Sequence, residues 1–236
     1  MTHKLSPTIG ILAGMGPRST AAFIDLVVTE CQILYGAQHD SDFPKMVICA
    51  QPAPFFEAHR PIDHAGLEAA VRAGLKTLED AGASFMAMAS NTAHLYYPKL
   101  AAASKVPLLN MVELTVSAAP ESTRRLAVVA ARPTAESNLY QDGFRRRGFH
   151  VVDIDWQKDI DRILSGRTSS DPIRFRSLWS GIVDRATKAR VDALVVACLD
   201  LSALLAHAGT GMPILDASRC LAQTIVKTWL AARPAA

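Results

Sequence analysis

Two polar segments that follow apolar runs carry the residue types of an acid–base site. Residues 90–94, SNTAH, follow the run FMAMA, and Cys198 follows the run ALVVA. Ligands of parallel α/β sheets bind at the carboxyl ends of the strands. Each segment combines an apolar strand, a small residue, a hydroxyl or thiol, and a helical pattern. We therefore expect Ser90 and Cys198 to occupy equivalent positions in two similar halves, although any two strand–helix units share some of this plan.

The same residues also have structural interpretations. Ser90 and Asn91 are suited to cap a helix, and Cys198 has the character of a small apolar core residue. His94 lies one turn into the predicted helix, where we expect a structural hydrogen bond rather than a base. A Ser-His-Asp triad is disfavoured, because no G-x-S-x-G elbow surrounds Ser90.

A glycine loop follows the first apolar run. Gly14, Met15 and Gly16 precede Pro17, which suits the first turn of a helix. The loop does not fit the G-x-G-x-x-G or Walker patterns, so it is a poor nucleotide signature. Its backbone N–H groups are suited to hold a carboxylate at the start of the helix, and a simple tight turn is the alternative.

Alternating strand and helix patterns must position these residues. Continuous apolar strands between amphipathic helices predict an α/β fold with parallel sheets covered on both faces. Two similar domains are expected, each a parallel sheet flanked by helices, with the active site in the cleft between them. The polar stretch 117–125 is the candidate boundary. It predicts a first domain of residues 1–115 plus 206–236 and a second of residues 116–205.

The predicted elements are these. Strands are predicted at 8–14, 45–51, 84–90, 106–111, 125–132, 150–155, 192–200 and 212–217, and helices at 17–34, 64–83, 92–104, 112–120, 134–148, 171–191, 201–209 and 218–233.

Composition excludes several classes of function. The chain has 236 residues, a net charge of +3 and scattered basic residues, so nucleic-acid binding is not expected. No apolar run reaches the roughly 18 residues of a membrane span, and the first residues lack a secretory signal. We expect a cytoplasmic protein. Cys31, Cys49 and Cys220 fall inside helix or strand patterns and are interpreted as structural reduced thiols.

Several motifs, in order along nearly the whole chain, resemble those of the aspartate/glutamate racemases. GILAGMGPRST resembles the opening GILGGMGPxAT of that family, and SNTAH resembles its CNTAH. ACLDLS takes the place of GCTEL-type sequences, QKDI resembles a QKDV-type stretch, and PILDA resembles a late Pro-Ile-Asp segment. The resemblance implies amino-acid racemisation without a cofactor or metal, a small carboxylate substrate such as aspartate or glutamate, and a homodimer.

The resemblance also implies roles for individual residues. In the family, one thiolate removes the α-proton and a second thiol returns one on the other face, and the pKa of a cysteine suits both tasks. Here Cys198 matches the second thiol and Ser90 stands in place of the first, so these two are the predicted catalytic residues. Predicted substrate-binding residues are Met15, Gly16, Gln51, Asn91, Thr92, Thr134 and Lys158.

The chain departs from the family pattern at several positions. A serine hydroxyl at Ser90 is a poor base unless another group takes its proton. Leu199 stands where a hydroxyl usually follows the second thiol, and Asp200 replaces a longer glutamate. The segment QPAPFFEAHRP does not align with the carboxylate-binding arginine of the family, which leaves His59 or Arg60 as substitutes. A one-thiol decarboxylase or isomerase, or a non-catalytic carboxylate-binding protein, are the alternative functions.

Overall fold

The computed structural model describes residues 6–53, 63–165, 171–206 and 211–233, in which strands and helices alternate. The elements in chain order are β1 (Ile9–Ala13), α1 (Pro17–Tyr35), β2 (Met46–Ala50), α2 (His64–Asp80), β3 (Phe85–Met88), α3 (Tyr97–Ala103), β4 (Leu108–Leu109), α4 (Met111–Ser117), β5 (Arg125–Ala130), α5 (Arg132–Glu136), α6 (Leu139–Arg146), β6 (His150–Val151), α7 (Gln157–Leu164), α8 (Pro172–Lys188), β7 (Ala193–Ala197), α9 (Leu199–Leu205), β8 (Ile214–Asp216) and α10 (Ala217–Ala232). Short 3-10 helices span Asp40–Asp42 and Thr92–Tyr96.

The strands form two parallel sheets with the same strand order. The first sheet has the order β2-β1-β3-β4 and the second has the order β6-β5-β7-β8. All pairings are parallel. The prediction of an α/β fold with two similar parallel sheets flanked by helices is therefore confirmed.

Apolar periodicity explains why these segments form these elements. Every residue of β1, β3 and β7 is buried, as expected for strands covered on both faces. In α2, Leu67, Val71, Leu75 and Leu78 recur at helical spacing and are buried. The side chain of Asp63 caps α2 by accepting a hydrogen bond from Gly66 N at 2.8 Å.

The chain divides into two compact units. The described residues of the first are 6–53, 63–111 and 221–233, and those of the second are 112–165, 171–206 and 211–220. This division differs from the predicted boundaries, which assigned everything after residue 205 to the first domain. The physical reason is that β8 pairs with β7, from Leu194↔Ile214 to Val196↔Asp216, and so belongs to the second sheet.

Several predicted elements differ in extent from the observed ones, and two of the differences lie near the predicted site. The strand predicted at 150–155 has only two residues and is followed by α7, a helix that the sequence pattern did not reveal. The helix predicted at 134–148 is interrupted at Asn138, whose φ of 57° lies in the left-handed region. An asparagine adopts this conformation more readily than most residues, and it separates α5 from α6.

Candidate active site

Three predicted site segments lie side by side at the carboxyl edge of the first sheet. The glycine loop follows β1, Gln51 follows β2, and residues 90–92 follow β3. The strand order places β1 between β2 and β3, with Leu12 paired to Met88. The first sheet therefore brings the predicted residues of its own half to one edge.

The glycine loop packs against the backbone that follows β2. Gly14 has a φ of 93°, and a Cβ at this position would lie 2.6 Å from Gln51 N, so only glycine fits. The N–H of Gly14 donates to Thr20 Oγ1 at 3.0 Å, and that hydroxyl donates to Gly16 O at 2.9 Å. The N–H of Gly14 is thus used within the loop rather than for an anion. Met15 and Gly16 are half-buried, and the sequence analysis did not identify Thr20.

Ser90 caps the 3-10 helix that follows β3. Its Oγ accepts a hydrogen bond from Ala93 N at 3.3 Å, a long contact. Ser90, Asn91 and Thr92 are all buried. The Ser90 hydroxyl oxygen therefore makes the kind of contact that a helix cap makes, as an acceptor for a backbone N–H of the first turn.

His94 fixes the backbone of this segment. Nδ1 donates to Ser90 O at 2.8 Å, and Nε2 accepts from Met111 N at 3.0 Å. These partners assign the neutral tautomer with the proton on Nδ1. Burial lowers the pKa of His94 to about 4, an effect that the carbonyls of Ser90 and Leu109 oppose only in part. His94 has the structural role predicted for it.

A pH titration of stability tests this role of His94. The pKa of His94 is about 4 in the fold against an ordinary value of 6.5, so the unfolded chain binds the proton first. The His94 contribution is fully present above pH 6.5 and is lost as the pH falls to about 4. The loss is about 3 kcal/mol. Denaturant unfolding between pH 7 and 4 measures it.

The variant His94→Gln is the matched control for this titration. Its amide retains one donor for Ser90 O and one acceptor for Met111 N, but it has no proton to gain in this range. The variant should lose stability less steeply than the parent between pH 6.5 and 4. Parallel curves for the two proteins would contradict the role.

Predicted residues of the second half lie at the carboxyl edge of the second sheet. Thr134 lies in α5 after β5, Cys198 directly follows β7, and Lys158 lies in α7 after β6. Thr134 and Cys198 are buried, whereas Lys158 is exposed. Lys158 was expected at a strand end and is instead the second residue of a helix. His59 and Arg60 lie outside the described residues.

Backbone amides influence the thiol of Cys198. The N–H groups of Ala131, Asp200 and Leu201 favour its thiolate and so lower its pKa. Two of these donors belong to the first residues of α9, and Ala131 follows the neighbouring strand β5. The carboxyl end of β7 and the start of the next helix thus place the sulfur as the sequence predicted.

The start of α9 does not suffice to make Cys198 a thiolate. Burial raises the pKa of Cys198 to about 12, and the nearby carboxylate of Asp200 adds to the increase. The three amide donors lower the pKa, but by less than burial raises it. Desolvation of the charged form therefore dominates, and Cys198 is a thiol at neutral pH.

A half-buried carboxyl group, that of Asp216, is hydrogen-bonded to α9. Ser202 Oγ, on α9, donates to Asp216 Oδ2 at 2.5 Å, and Ser218 N donates to Asp216 Oδ1 at 2.8 Å. Desolvation raises the pKa of Asp216, although these donors oppose it. The segment PILDA was noted in the sequence, but no role was predicted for Asp216. Its hydrogen bond to Ser202 supports the helix that begins directly after Cys198.

Replacing Asp200 tests the electrostatic account of Cys198. Asp200→Asn removes the negative charge that disfavours the thiolate and keeps the backbone N–H of residue 200, which favours it. We expect alkylation of Cys198 by iodoacetamide at pH 8.5 to become about two- to fivefold faster, because Asp200 is exposed and partly screened. Peptide mapping by mass spectrometry measures the rate at this cysteine.

The control is Asp142→Asn, which removes an exposed carboxylate from α6. That variant should alkylate at the parental rate. An unchanged rate in Asp200→Asn, or an equal increase in the control, would show that the Asp200 carboxylate does not set the reactivity of Cys198.

Comparison with known proteins assigns the chain to a family. The fold and the polar strand ends define an α/β protein of two similar sheets. The family model of the Asp/Glu/hydantoin racemases matches residues 12–225, and the chain belongs to this family. RacX, a broad-specificity amino-acid racemase of Bacillus subtilis strain 168, is 39% identical over 225 residues, which is 94% of this chain and 98% of RacX.

Solved structures share the fold. The aspartate racemase of Picrophilus torridus matches with a TM-score of 0.76 and 23% identity, over 97% of this chain and 96% of that chain. An aspartate racemase homologue from Pyrococcus horikoshii OT3 matches with a TM-score of 0.71 and 16% identity, over 96% and 100% of the two chains. The family resemblance inferred from the motifs is confirmed, whereas the roles of the individual site residues remain predictions.

The described ranges contain neither a candidate metal site nor a candidate membrane-spanning helix. No group of three or more His, Cys, Asp or Glu side chains among residues 6–53, 63–165, 171–206 and 211–233 is placed to hold a metal ion. None of the helices in the same ranges has the length and apolar character needed to cross a membrane.

Proposed function

We propose that this chain racemises free amino acids without a cofactor, with aspartate and glutamate as the first substrates to test. The observation that carries the proposal is Cys198, buried between the carboxyl end of β7 and the start of α9, in a member of the racemase family. RacX is a broad-specificity amino-acid racemase, which supports a wider panel that includes neutral amino acids. The decarboxylase, isomerase and binding-protein alternatives are not favoured by these relatives.

The chemistry requires that a proton leave Cα and that another return to its opposite face. In one direction a deprotonated oxygen at Ser90 takes the α-proton, which leaves a carbanion beside the substrate carboxylate, and the Cys198 S–H bond breaks to return a proton to the opposite face of Cα. A thiol with a raised pKa is suited to this acid step, since it is protonated at neutral pH. The thiolate formed in that step then takes the next α-proton in the reverse direction.

Ser90 occupies the position of the second proton carrier. It follows β3 as Cys198 follows β7, and the two strands hold the same place in their sheets. A hydroxyl is a far weaker acid than a thiol, so we propose that the Ser90 side limits the rate. Its Oγ already accepts a hydrogen bond from Ala93 N, and at 3.3 Å this donor favours a deprotonated Ser90 oxygen only weakly.

Substrate binding is proposed for the remaining edge residues. We assign contacts with the amino and carboxylate groups to Met15, Gly16, Gln51, Asn91, Thr92, Thr134 and Lys158. Their positions after strand ends support this assignment. Lys158 is the proposed cation for a carboxylate.

Assembly and location complete the proposal. We propose that the chain acts as a homodimer in the cytoplasm. None of the four cysteines, all of which lie within the described ranges, forms a disulfide bond, as expected in a reducing compartment.

Restoring a second thiol tests the proposed chemistry. Ser90→Cys should raise racemisation of aspartate or glutamate at least about tenfold, because a positioned acid–base group contributes roughly 10²–10⁴-fold. Adding Cys198→Ala should abolish this gain. Chiral chromatography of both antipodes, with α-hydrogen exchange in D₂O, measures inversion and proton removal separately.

Exchange with retention of configuration would indicate a one-sided base and favour the isomerase alternative. If neither exchange nor inversion occurs with acidic or neutral amino acids in a folded Ser90→Cys protein, the racemase proposal is wrong.

Removing the charge of Lys158 tests the carboxylate contact. Lys158→Met keeps the length of the side chain, and we expect the affinity for aspartate or glutamate to fall about tenfold or more with little change in melting temperature, because Lys158 is exposed. Isothermal titration calorimetry measures the affinity. Arg162→Met removes a charge from the same helix and should leave binding unchanged. Equal affinity in Lys158→Met and the parent would reject the contact.

A further inference from the structure

Two neighbouring strands of the second sheet pass almost directly into helices. Only Cys198 separates β7 from α9, and β8 ends at Asp216 immediately before α10. Val196 pairs with Asp216 in the parallel ladder, so the two junctions lie side by side at the carboxyl edge of the sheet. The direction in which the Cys198 side chain projects therefore depends on how the first turn of α9 is held at this edge.

One residue of α9, Ser202, connects the two junctions. Its N–H donates to Cys198 O at 3.0 Å, which is the first helical hydrogen bond of α9. Its Oγ donates to Asp216 Oδ2 at 2.5 Å. Two hydrogen bonds of Ser202 thus link the backbone of Cys198 to the end of β8.

Asp216 is fixed by its own surroundings. It closes β8, which is paired with β7, and the N–H of Ser218 in α10 donates to its Oδ1 at 2.8 Å. One oxygen of Asp216 is therefore bound to α10 and the other to α9. A carboxyl group held in this way fixes the start of α9, and with it the backbone of Cys198, relative to the strands of the sheet.

We propose that Asp216 is a positioning residue for Cys198, which it holds through Ser202 and the first turn of α9. The proposal rests on the proposed function for its catalytic meaning, because Cys198 is the predicted proton carrier. A proton carrier has to meet Cα at a fixed distance and angle, and a misplacement of about 1 Å costs roughly 10²-fold in rate. Asp216 acts on the backbone from which the side chain of Cys198 projects.

The rate at which iodoacetamide alkylates Cys198 in the whole chain at pH 8.5 tests the proposal. Asp216→Ala removes both acceptors, and we expect the rate to rise about threefold or more, because a loosened first turn of α9 uncovers the buried thiol. Ser202→Ala breaks the same connection without changing any charge and should have a similar effect, including where Asp216→Ala fails to fold. The double variant should react about as fast as Asp216→Ala alone, since both changes remove the same hydrogen bond.

Asp216→Asn is the conservative variant. Its Oδ1 accepts from Ser218 N and its amide nitrogen donates to the Ser202 hydroxyl, so the connection is retained while the charge is lost. Alkylation in this variant should stay within about twofold of the parental rate. An increase equal to that of Asp216→Ala would show that the charge of Asp216 sets the rate, and would overturn the proposal.

The matched control, Asp192→Ala, lies at the opposite end of β7. Asp192 Oδ2 accepts from Arg124 N at 2.8 Å and from Arg125 N at 2.9 Å, so this change also removes two hydrogen bonds at the edge of the second sheet. Denaturant unfolding measures the stability that each variant loses. The control should alkylate at the parental rate, and an equal increase there would show a general loosening of the unit and overturn the proposal.

Racemisation kinetics provide a second readout. They are measured in the Ser90→Cys background, because the Ser90 side is proposed to limit the rate. Asp216→Ala should lower kcat about tenfold or more with KM changed less than about threefold, whereas Asp216→Asn and Asp192→Ala should keep most of kcat. Unchanged kcat or unchanged alkylation in a folded Asp216→Ala protein overturns the proposal. Absence of racemisation in the Ser90→Cys background contradicts the proposed function instead, and alkylation then still decides the role of Asp216.

Discussion

Parallel hydrogen bonding at the centre of each sheet determines where the residues proposed for acid–base chemistry lie. β1 pairs with β3 in one unit, and β5 pairs with β7 in the other. Strands that run in the same direction end at the same edge, and each end leads into a helix whose first N–H groups lack partners within the helix. Ser90 and Cys198 acquire their neighbours from this arrangement rather than from residues adjacent to them in the chain.

Desolvation and hydrogen bonding oppose each other at Cys198. Three amides favour the thiolate, whereas burial and Asp200 favour the thiol, and the balance raises the pKa to about 12. A position with the same donors but more solvent would yield a nucleophile. Here the result is a protonated group, and the amides that oppose this result belong to α9 or directly follow β5. The protonation state of Cys198 therefore depends on backbone groups as well as on side chains.

The sequence predicted the strands, the parallel direction in which they run and the positions of the polar strand ends. Those features depend on local apolar patterns, such as the continuous apolar run of β7, which neighbouring residues in the chain reveal. The sequence did not predict α7. This helix has only eight residues with two buried isoleucines, Ile160 and Ile163, which is too short for its apolar periodicity to be distinguished from a loop. The sequence also did not reveal Thr20 and Asp216, whose roles depend on partners that only the fold brings near. Asp216 accepts from a hydroxyl 14 positions away, and the local pattern around neither residue indicates the other.

The two equivalent positions differ in what the surrounding structure holds fixed. Around Ser90 the fixed group is the backbone, because His94 links the Ser90 carbonyl to Met111 N through a neutral ring. Around Cys198 the surroundings act on the side chain itself, because burial raises the pKa of the thiol and neighbouring N–H groups oppose that increase. The hydrogen bonds of His94 involve the backbone of Ser90 and not its side chain, so the segment keeps these bonds whichever side chain stands at position 90. This asymmetry explains how the chain keeps the fold with a serine at that strand end.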